Sequence, residues 1–441
     1  MSIKVGMVSL GCPKNQMDAE LMLAKLQNAG MTITADSGLA EVVIVNTCGF
    51  IGDAMREAIE NILEFAKLKE EGQIKKIIVT GCLAERYQEE LCRELPECDA
   101  VLGLGANADI VETVQRVMAG ETVKSFPSLD TWSLDGDRLQ TTPDFFAYLR
   151  VGDGCNNCCT YCAIPLIRGG LRSRAMDDVV AEAEDLVKNG VRELVLVAQD
   201  TTLYGTDVAG KSLLPQLLDR LCEIEDLRWI RLLYCYPEHI TEELLDTMAR
   251  QEKIVNYLDM PIQHASGKVL AAMNRQGDRE TLTALVKHIR EKLPDVVLRT
   301  TVMVGFPGET KQDFAELCEF LKEARFERLG CFAYSPEEGT AAATMLDQVS
   351  DKLKNRRRDI VLQSQERVAA EYNEEQIGKT VEVLVESFDR YAECWFGRTY
   401  ADAPDIDTKV FFTTKTRVVP GDFVQVQVTD CLEFDLVGER I

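Results

Sequence analysis

Cys155, Cys159 and Cys162 stand within eight residues of one another, directly after the apolar, strand-like run Phe145–Val151. A strand that delivers three thiols to its own end leaves the following loop few options. Thiolates are soft ligands suited to an iron–sulfur cluster. A four-iron cube held by three cysteines keeps one iron open to a further ligand. Cys158 lies outside the C-x₃-C-x₂-C spacing, and with it the stretch also reads as two abutting C-x-x-C pairs, the donor set of a four-cysteine zinc site. Zinc sites usually put a long spacer between their pairs. Here Cys158 and Cys159 are adjacent, so the iron–sulfur reading is preferred and Cys158 is taken as a bystander.

A chain of 441 residues is expected to divide into two to four domains. Its 46% hydrophobic and 28% charged residues are those of a soluble globular protein. No apolar run approaches the roughly 20 residues of a membrane span, and Met1-Ser2-Ile3-Lys4 enters a strand with no signal-peptide pattern. A cytoplasmic location and no membrane partner are expected. Fifteen cysteines in such a chain argue for metal or redox chemistry over a disulfide framework. Three histidines, His239, His264 and His288, leave a histidine-based mechanism little to work with. The net charge of −24 repels phosphate backbones, attracts basic proteins and, most simply, keeps the chain soluble.

The first region alternates strand and helix. Ile3–Leu10 runs into Gly11-Cys12, Glu41–Val45 into Asn46-Thr47-Cys48-Gly49, and Lys76–Val79 into Thr80-Gly81-Cys82, with helical stretches at Gln16–Ala29 and Ile51–Leu68 between them. This pattern predicts a parallel sheet covered by helices. Each cysteine sits beyond the C-terminal end of a strand, where open parallel sheets bind ligands. Any one alone would read as an inert core thiol. Three in equivalent places, each beside a glycine that lets the backbone approach closely, point to a second cluster with an open iron. Cys92 and Cys98 lack this placement and read as packing or surface residues.

Turn and linker chemistry in Gly120–Pro143 marks a boundary. Beyond it, six apolar runs (Phe145–Val151, Leu194–Ala198, Trp229–Tyr234, Val255–Met260, Val296–Val304 and Arg328–Tyr334) alternate with helical segments. Six βα units predict a partial (β/α)6 barrel with ligands at its C-terminal mouth. Thr310, closing the turn Gly305-Phe306-Pro307-Gly308-Glu309, is placed to cap the next helix. Asp351–Gln376 reads as a long helix, and its Arg356-Arg357-Arg358 run as a solvated face. Five short strand candidates between Gly378 and Ile441 predict a small antiparallel barrel of OB-like type. Residues 374–441 carry 14 Asp+Glu and 7 Lys+Arg, a net of −7, which disfavours a grip on RNA. The expected α/β architecture is thus an N-terminal domain over 3–119, a linker over 120–140, a barrel over 141–372 and a small β-barrel over 374–441.

The C-x₃-C-x₂-C loop resembles that of radical SAM enzymes. With the first three cysteines and the terminal barrel, the whole chain resembles the methylthiotransferases of that superfamily, whose terminal barrel is of the TRAM type. Ser9–Asn15, Gln199-Asp200-Thr201, Gln263-His264-Ala265-Ser266, Tyr334–Gly339 and Ala401–Asp407 are similar to the ribosomal-protein branch, the RimO type. The resemblance implies two [4Fe-4S] clusters. One, on Cys155, Cys159 and Cys162, binds S-adenosylmethionine at its open iron; the other, on Cys12, Cys48 and Cys82, holds the sulfur to be inserted. It implies that Gly305, Pro307 and Gly308 contact S-adenosylmethionine, that one such molecule donates a methyl group and a second supplies the radical. It further implies methylthiolation of the β-carbon of an aspartate in ribosomal protein S-twelve, with an electron donor such as flavodoxin or ferredoxin.

The two open irons are expected to face each other across the interface of the first two domains. Asp402, Asp405 and Asp407 are expected on a free loop that meets the basic substrate. No acid or base residue is assigned. The alternative within the family is an enzyme that modifies a tRNA adenosine. A ferredoxin-like carrier would need no barrel of some two hundred residues, and a non-catalytic ribosome-binding factor would need neither open iron.

Overall fold

The computed structural model describes residues 2–129 and 132–441; Met1 and, in the stretch read as a linker, Asp130 and Thr131 lie outside the described residues. The chain forms two compact units. The first comprises Met1–Thr141, Gly152–Arg174 and Ser335–Ala343, and the second Thr142–Val151, Ala175–Tyr334 and Thr344–Ile441.

The first unit is built on six parallel strands: β1 (Lys4–Ser9), β2 (Thr32–Thr34), β3 (Val42–Thr47), β4 (Lys76–Gly81), β5 (Ala100–Leu102) and β6 (Val123–Ser125). Their spatial order is β2-β1-β3-β4-β5-β6. Every residue of β3 is buried, as in a central parallel strand covered on both faces. β2, β5 and β6 have three residues each, too few for an apolar run to announce them. The stretch rich in turn chemistry packs closely against this unit. Trp132 and Leu134 are buried, Leu139 N–H bonds Glu20 O at 3.1 Å, and Glu20 accepts from the Thr141 amide and hydroxyl at 2.8 and 2.7 Å.

Strand β7 (Phe146–Arg150) opens the second unit, while a short antiparallel pair in the first unit, β8 (Gly152–Asp153) with β9 (Arg172–Ser173), closes the cysteine loop. The second unit continues with β10 (Glu193–Val197), β11 (Trp229–Leu232), β12 (Ile254–Asp259), β13 (Val297–Val304) and β14 (Arg328–Ala333). These strands and β7 form an all-parallel sheet in the order β14-β13-β12-β11-β10-β7, a partial six-stranded barrel. Leu149, Leu196, Leu232, Leu258 and Leu298, one from each of five successive strands, are fully buried in its core. Thr310 caps the helix Lys311–Ala324 through a reciprocal capping box with Asp313.

The helix Asp351–Glu374 corrects one expectation: its basic run is not a uniformly solvated face. Arg357 is buried, with Nη1 2.8 Å from Glu309, and Lys354 is buried against the Tyr334 carbonyl at 2.9 Å, because both share the helical face of buried Val361. Arg358 pairs with Asp359 at 2.9 Å on the outer side.

The last five strands, β15 (Thr380–Asp389), β16 (Cys394–Arg398), β17 (Val410–Thr413), β18 (Phe423–Leu432) and β19 (Asp435–Arg440), form a closed barrel. Its pairings are antiparallel except β17 with β19. Val383, Val385, Val410, Phe412, Val424 and Val426 fill it.

Two of the three aspartates expected on a free loop turn inward. Asp402 is buried, 2.7 Å from Arg328 Nη2, and accepts from the Thr399 and Thr408 hydroxyls. Asp407 accepts from Tyr257 O–H at 2.6 Å and Ala403 N–H at 2.9 Å; Asp405 alone of the three is exposed, and accepts from Tyr148 O–H at 3.4 Å. The reason is electrostatic. Arg328, largely removed from water at the start of β14, needs an anion, and this segment supplies one. Glu193 repeats the motif between Arg231 and Arg398, each at 2.7 Å. Burial opposes its charge, but the two guanidiniums hold its carboxyl below the usual range. No helix among the described residues is long and apolar enough to cross a membrane.

Candidate active site

β1, β3 and β4 are consecutive neighbours in the first sheet, and Cys12, Cys48 and Cys82 follow their C-terminal ends. Cys12 is the N-cap of the helix Pro13–Asn28, and Cys82 is the first residue of the helix Cys82–Glu94. The glycines are sterically required here. At Gly11, with φ +94°, a Cβ would lie 2.9 Å from Cys48 Sγ; at Gly81, with φ +97°, it would lie 2.4 Å from Thr47 O. A buried polar lattice fixes the strand ends. Asn46 Nδ2 donates to Asn15 O at 2.7 Å, Asn15 Nδ2 to Leu10 O at 2.7 Å, and the Thr47 hydroxyl to Thr80 O at 2.6 Å.

The second cysteine set belongs to the same compact unit, where chain order had suggested one set in each of two domains. Cys155 and Cys159 are buried and Cys162 is half-buried, while Cys158 is exposed. At the back of the loop, Cys155 N–H bonds Gly169 O at 3.1 Å, and a Cβ on Gly154 would lie 2.0 Å from Gly170 O. The Gly169-Gly170 pair therefore closes the loop behind the thiols. Amides also turn toward sulfur: Asn157 N–H lies 3.5 Å from Cys155 Sγ, and Ile164 N–H 3.5 Å from Cys162 Sγ.

Arg168 joins the two sets, a link that motif reading missed. Its Nη2 lies 2.8 Å from Asp18 and 3.5 Å from Cys82 Sγ, and its Nη1 lies 2.9 Å from Asp153. Burial works against the guanidinium, but Asp153, Cys82 and Asp18 together hold its pKa well above the usual value. A second link runs through Ser335–Ala343. Arg86 Nη1 bonds Gly49 O at 2.9 Å and Glu337 at 3.0 Å, and Ala342 N–H bonds Thr160 O at 2.8 Å, between Cys159 and Cys162. All six thiols are free of disulfides.

Burial pushes the Cys82 and Cys162 thiols up to about 12, with Arg168 opposing at Cys82. Taking up a metal centre at these positions would release protons. Among the described residues no three His, Cys, Asp or Glu converge as ligands of one ion; a four-iron cube is larger than one ion's coordination sphere. The donor set of each triad, three thiols at glycine-lined strand or loop ends, fits such a cube.

In the second unit, Gly305 (φ +75°) and Pro307 are buried and Gly308 is half-buried. A Cβ on Gly305 would lie 2.0 Å from Lys354 Cγ. The amides of this turn already have partners: Glu309 accepts from Gly305 and Phe306, and Gly308 N–H bonds Asp347 O at 3.0 Å. Carbonyls of the turn are engaged too: Lys268 Nζ donates to Gly308 O at 2.9 Å and Glu309 N–H to Phe306 O at 3.0 Å. A cavity of about 360 Å³ lined by Val286, Arg290, Phe320 and Glu323 lies between outer helices, away from the strand ends.

Three family models match: "Uncharacterized protein family UPF0004" over residues 4–103, the radical SAM superfamily over 149–321 and the TRAM domain over 377–441. The chain is 46% identical over 436 residues to "Ribosomal protein uS12 methylthiotransferase RimO" of Thermoanaerobacter sp. (strain X514), covering 99% of each chain. It belongs to the RimO family of ribosomal protein uS12 methylthiotransferases. A second RimO, of Pelotomaculum thermopropionicum, is 47% identical with full coverage of both chains. The chain also shares its fold with two solved structures. One is the radical S-adenosylmethionine methyltransferase TsrM from Kitasatospora setae (TM-score 0.56, 15% identity, 76% of this chain and 75% of that one). The other is the cobalamin-dependent S-adenosylmethionine radical enzyme OxsB (TM-score 0.53, 12% identity, 84% and 56%).

Proposed function

We propose that this chain attaches a methylthio group to the β-carbon of an aspartate in ribosomal protein uS12. Cys155, Cys159 and Cys162 would hold a [4Fe-4S] cluster that binds S-adenosylmethionine, and Cys12, Cys48 and Cys82 a second cluster. When bound, these groups supply a 5′-deoxyadenosyl radical, a sulfur atom and a methyl group. The β-carbon C–H is not acidic enough for an ordinary side-chain base, so hydrogen-atom abstraction suits it. The cofactors carry that chemistry while the chain orients and shields it.

The contribution of the chain's own residues follows from their placement. Gly11, Gly49, Gly81 and Gly154 allow backbone approach that any side chain would block. Arg168 offsets negative charge beside Cys82 and ties the two thiol-bearing segments together. Arg86 and Glu337 brace the Cys48 turn. The observation that carries the reading is that both thiol triads lie in one compact unit, linked through Arg168. A cytoplasmic site of action and a small redox protein as electron donor belong to the same proposal.

The test is an anaerobic assay of reconstituted protein with S-adenosylmethionine and reductant, offering uS12 and tRNA side by side. Methylthiolated aspartate in uS12 and unmodified tRNA are expected. Modified tRNA with untouched uS12 would overturn the reading in favour of the adenosine-modifying branch.

A further inference from the structure

Gly330 stands inside β14, where a glycine weakens the strand and packs nothing. The usual reasons for one do not apply here. Its φ lies outside the left-handed region, and a Cβ there would meet nothing closer than 3.8 Å, an ordinary contact. A strand glycine without such a reason marks a place where a ligand comes close. Three side chains border the space it leaves. Phe332 Cε2 and Thr301 Oγ1 lie 3.8 Å, and Arg299 Nη2 3.9 Å, from where that Cβ would stand.

Register brings these groups together. Thr301 pairs with Gly330 across β13 and β14, and Met303 with Phe332. Leu298, Val302 and Val304 fill the buried core on one face of β13. Arg299, Thr301 and Met303, all half-buried, therefore line the other face, and Gly330 and Phe332 continue it on β14. Phe332 is 55% exposed. All these residues belong to the second compact unit. Arg299 Nη1 lies 2.9 Å from Asp259, and Nε 3.7 Å from Asp407. Burial works against the guanidinium, but Asp259, Tyr257 and Asp407 hold its pKa above the usual value. Its Nη2 makes no hydrogen bond among the described residues, and the side chain is 18% exposed. The Thr301 hydroxyl accepts from Nη1 at 3.5 Å and donates to no described group. A cation that only balanced Asp259 and Asp407 would need neither that hydroxyl nor the glycine beside it.

We infer that Arg299 and Thr301 form a carboxylate-binding site. Arg299 Nη2–H and Thr301 Oγ1–H donate to one carboxylate, whose carbon stem takes the space left by Gly330 beside the Phe332 ring. Hydrogen bonds between a guanidinium and a carboxylate are the strong kind, because both partners are charged. Two ligands of the reaction proposed above present such a group: the aspartate of uS12 and the methionine end of S-adenosylmethionine. The inference rests on that reading for its choice of ligands.

The site is read by binding to anaerobically reconstituted holoenzyme, without turnover. One arm compares uS12 with uS12 whose target aspartate is replaced by asparagine. The other compares S-adenosylmethionine with its decarboxylated analogue. In the arm that supplies the carboxylate, the unmutated enzyme should prefer the carboxylate ligand about tenfold or more, the size of a hydrogen bond to a charged group. Arg299→Lys keeps a cation for Asp259 and loses Nη2. Gly330→Ala keeps every charge and fills the space with a methyl group at ordinary contact distance. Both variants should lose most of that preference while binding the carboxylate-free ligand as the unmutated enzyme does. The arm in which this happens names the source of the carboxylate. A preference that survives undiminished in either variant, or no preference in either arm, overturns the site. Equal weakening of both ligands of a pair, the mark of a merely structural residue, overturns it too. An unmutated enzyme that modifies tRNA and leaves uS12 untouched overturns the function proposed above, while the S-adenosylmethionine arm still decides the site.

Discussion

Arg168 sets a guanidinium nitrogen 2.8 Å from a carboxylate oxygen of Asp18, 150 residues away in sequence, and both side chains are fully buried. The same guanidinium reaches Asp153, so one cation serves two anions with almost no solvent. Removing it would take the buried cation away from both carboxylates.

Arg168→Met should therefore cost about 3–5 kcal/mol of unfolding free energy, the scale for breaking a buried pair. Chemical denaturation checks this. Adding Asp18→Asn and Asp153→Asn to that variant should restore part of the loss, because the stranded charges are gone. A loss below about 1 kcal/mol in the single variant, the scale of an exposed pair, would mean that water reaches the site.

Iron content separates the cysteines by role. Reconstituted protein should carry about eight irons, the sum of two cubes, and the triple Ala variant at Cys155, Cys159 and Cys162 about four. Cys158 is exposed and outside the spacing, so Cys158→Ala should keep about eight. Colorimetric iron analysis reads all three. Stoichiometric zinc without iron uptake would sink the cluster assignment.

Asp402 holds the closed barrel in place instead of greeting a partner. Asp402→Ala strands Arg328 and should cost about 3–5 kcal/mol in denaturation experiments. Among molecules that fold, the preference for uS12 over tRNA should be unchanged. A shifted preference with intact stability would return this segment to the docking role first expected of it.

His264 gives a signed pH dependence. Burial lowers its pKa from the ordinary 6.5 to about 4, so the folded chain keeps it neutral. Its stability contribution is complete above the unfolded value and is lost as pH falls from about 6.5 toward 4, by up to about 3 kcal/mol. Glu309 opposes this over part of the range. Burial raises it to about 6, so its contribution is complete below its ordinary 4.5 and is lost as pH rises through 6. The difference between unmutated protein and His264→Asn isolates the histidine, since Asn can still accept from Ser266 N–H as Nδ1 does at 2.9 Å. The stability advantage of the unmutated protein over that variant should shrink as pH falls from about 6.5 toward 4; a constant advantage would show that His264 charges without penalty.

Local pattern carried the fold. Apolar runs bounded by helical segments located every strand of the partial barrel, and the cysteines beyond Leu10, Thr47 and Gly81 marked one edge of the first sheet. What sequence did not show was the destination of charges. Asp18, Asp153 and Arg168 are ordinary polar residues until segments far apart in the chain bring them together, and Asp402 reads as solvated until Arg328 is found beside it. Short elements escaped for a related reason: β5 and β6 owe their existence to neighbours in the sheet more than to their own three residues. Asp200 belongs to the Gln199-Asp200-Thr201 stretch, but its partner His239 lies 39 residues on, and only the adjacency of β10 and β11 joins them.

The division of labour between the two thiol triads is tested most directly in the triple Ala variant at Cys12, Cys48 and Cys82, reconstituted anaerobically and given S-adenosylmethionine, reductant and uS12. On the assignment proposed above, radical generation would need only the triad in the Gly152–Arg174 loop, whereas sulfur insertion would need both. The variant should form 5′-deoxyadenosine while leaving uS12 without a methylthio group. Methylthiolated uS12 from this variant would contradict the account and reduce the first triad to structural thiols.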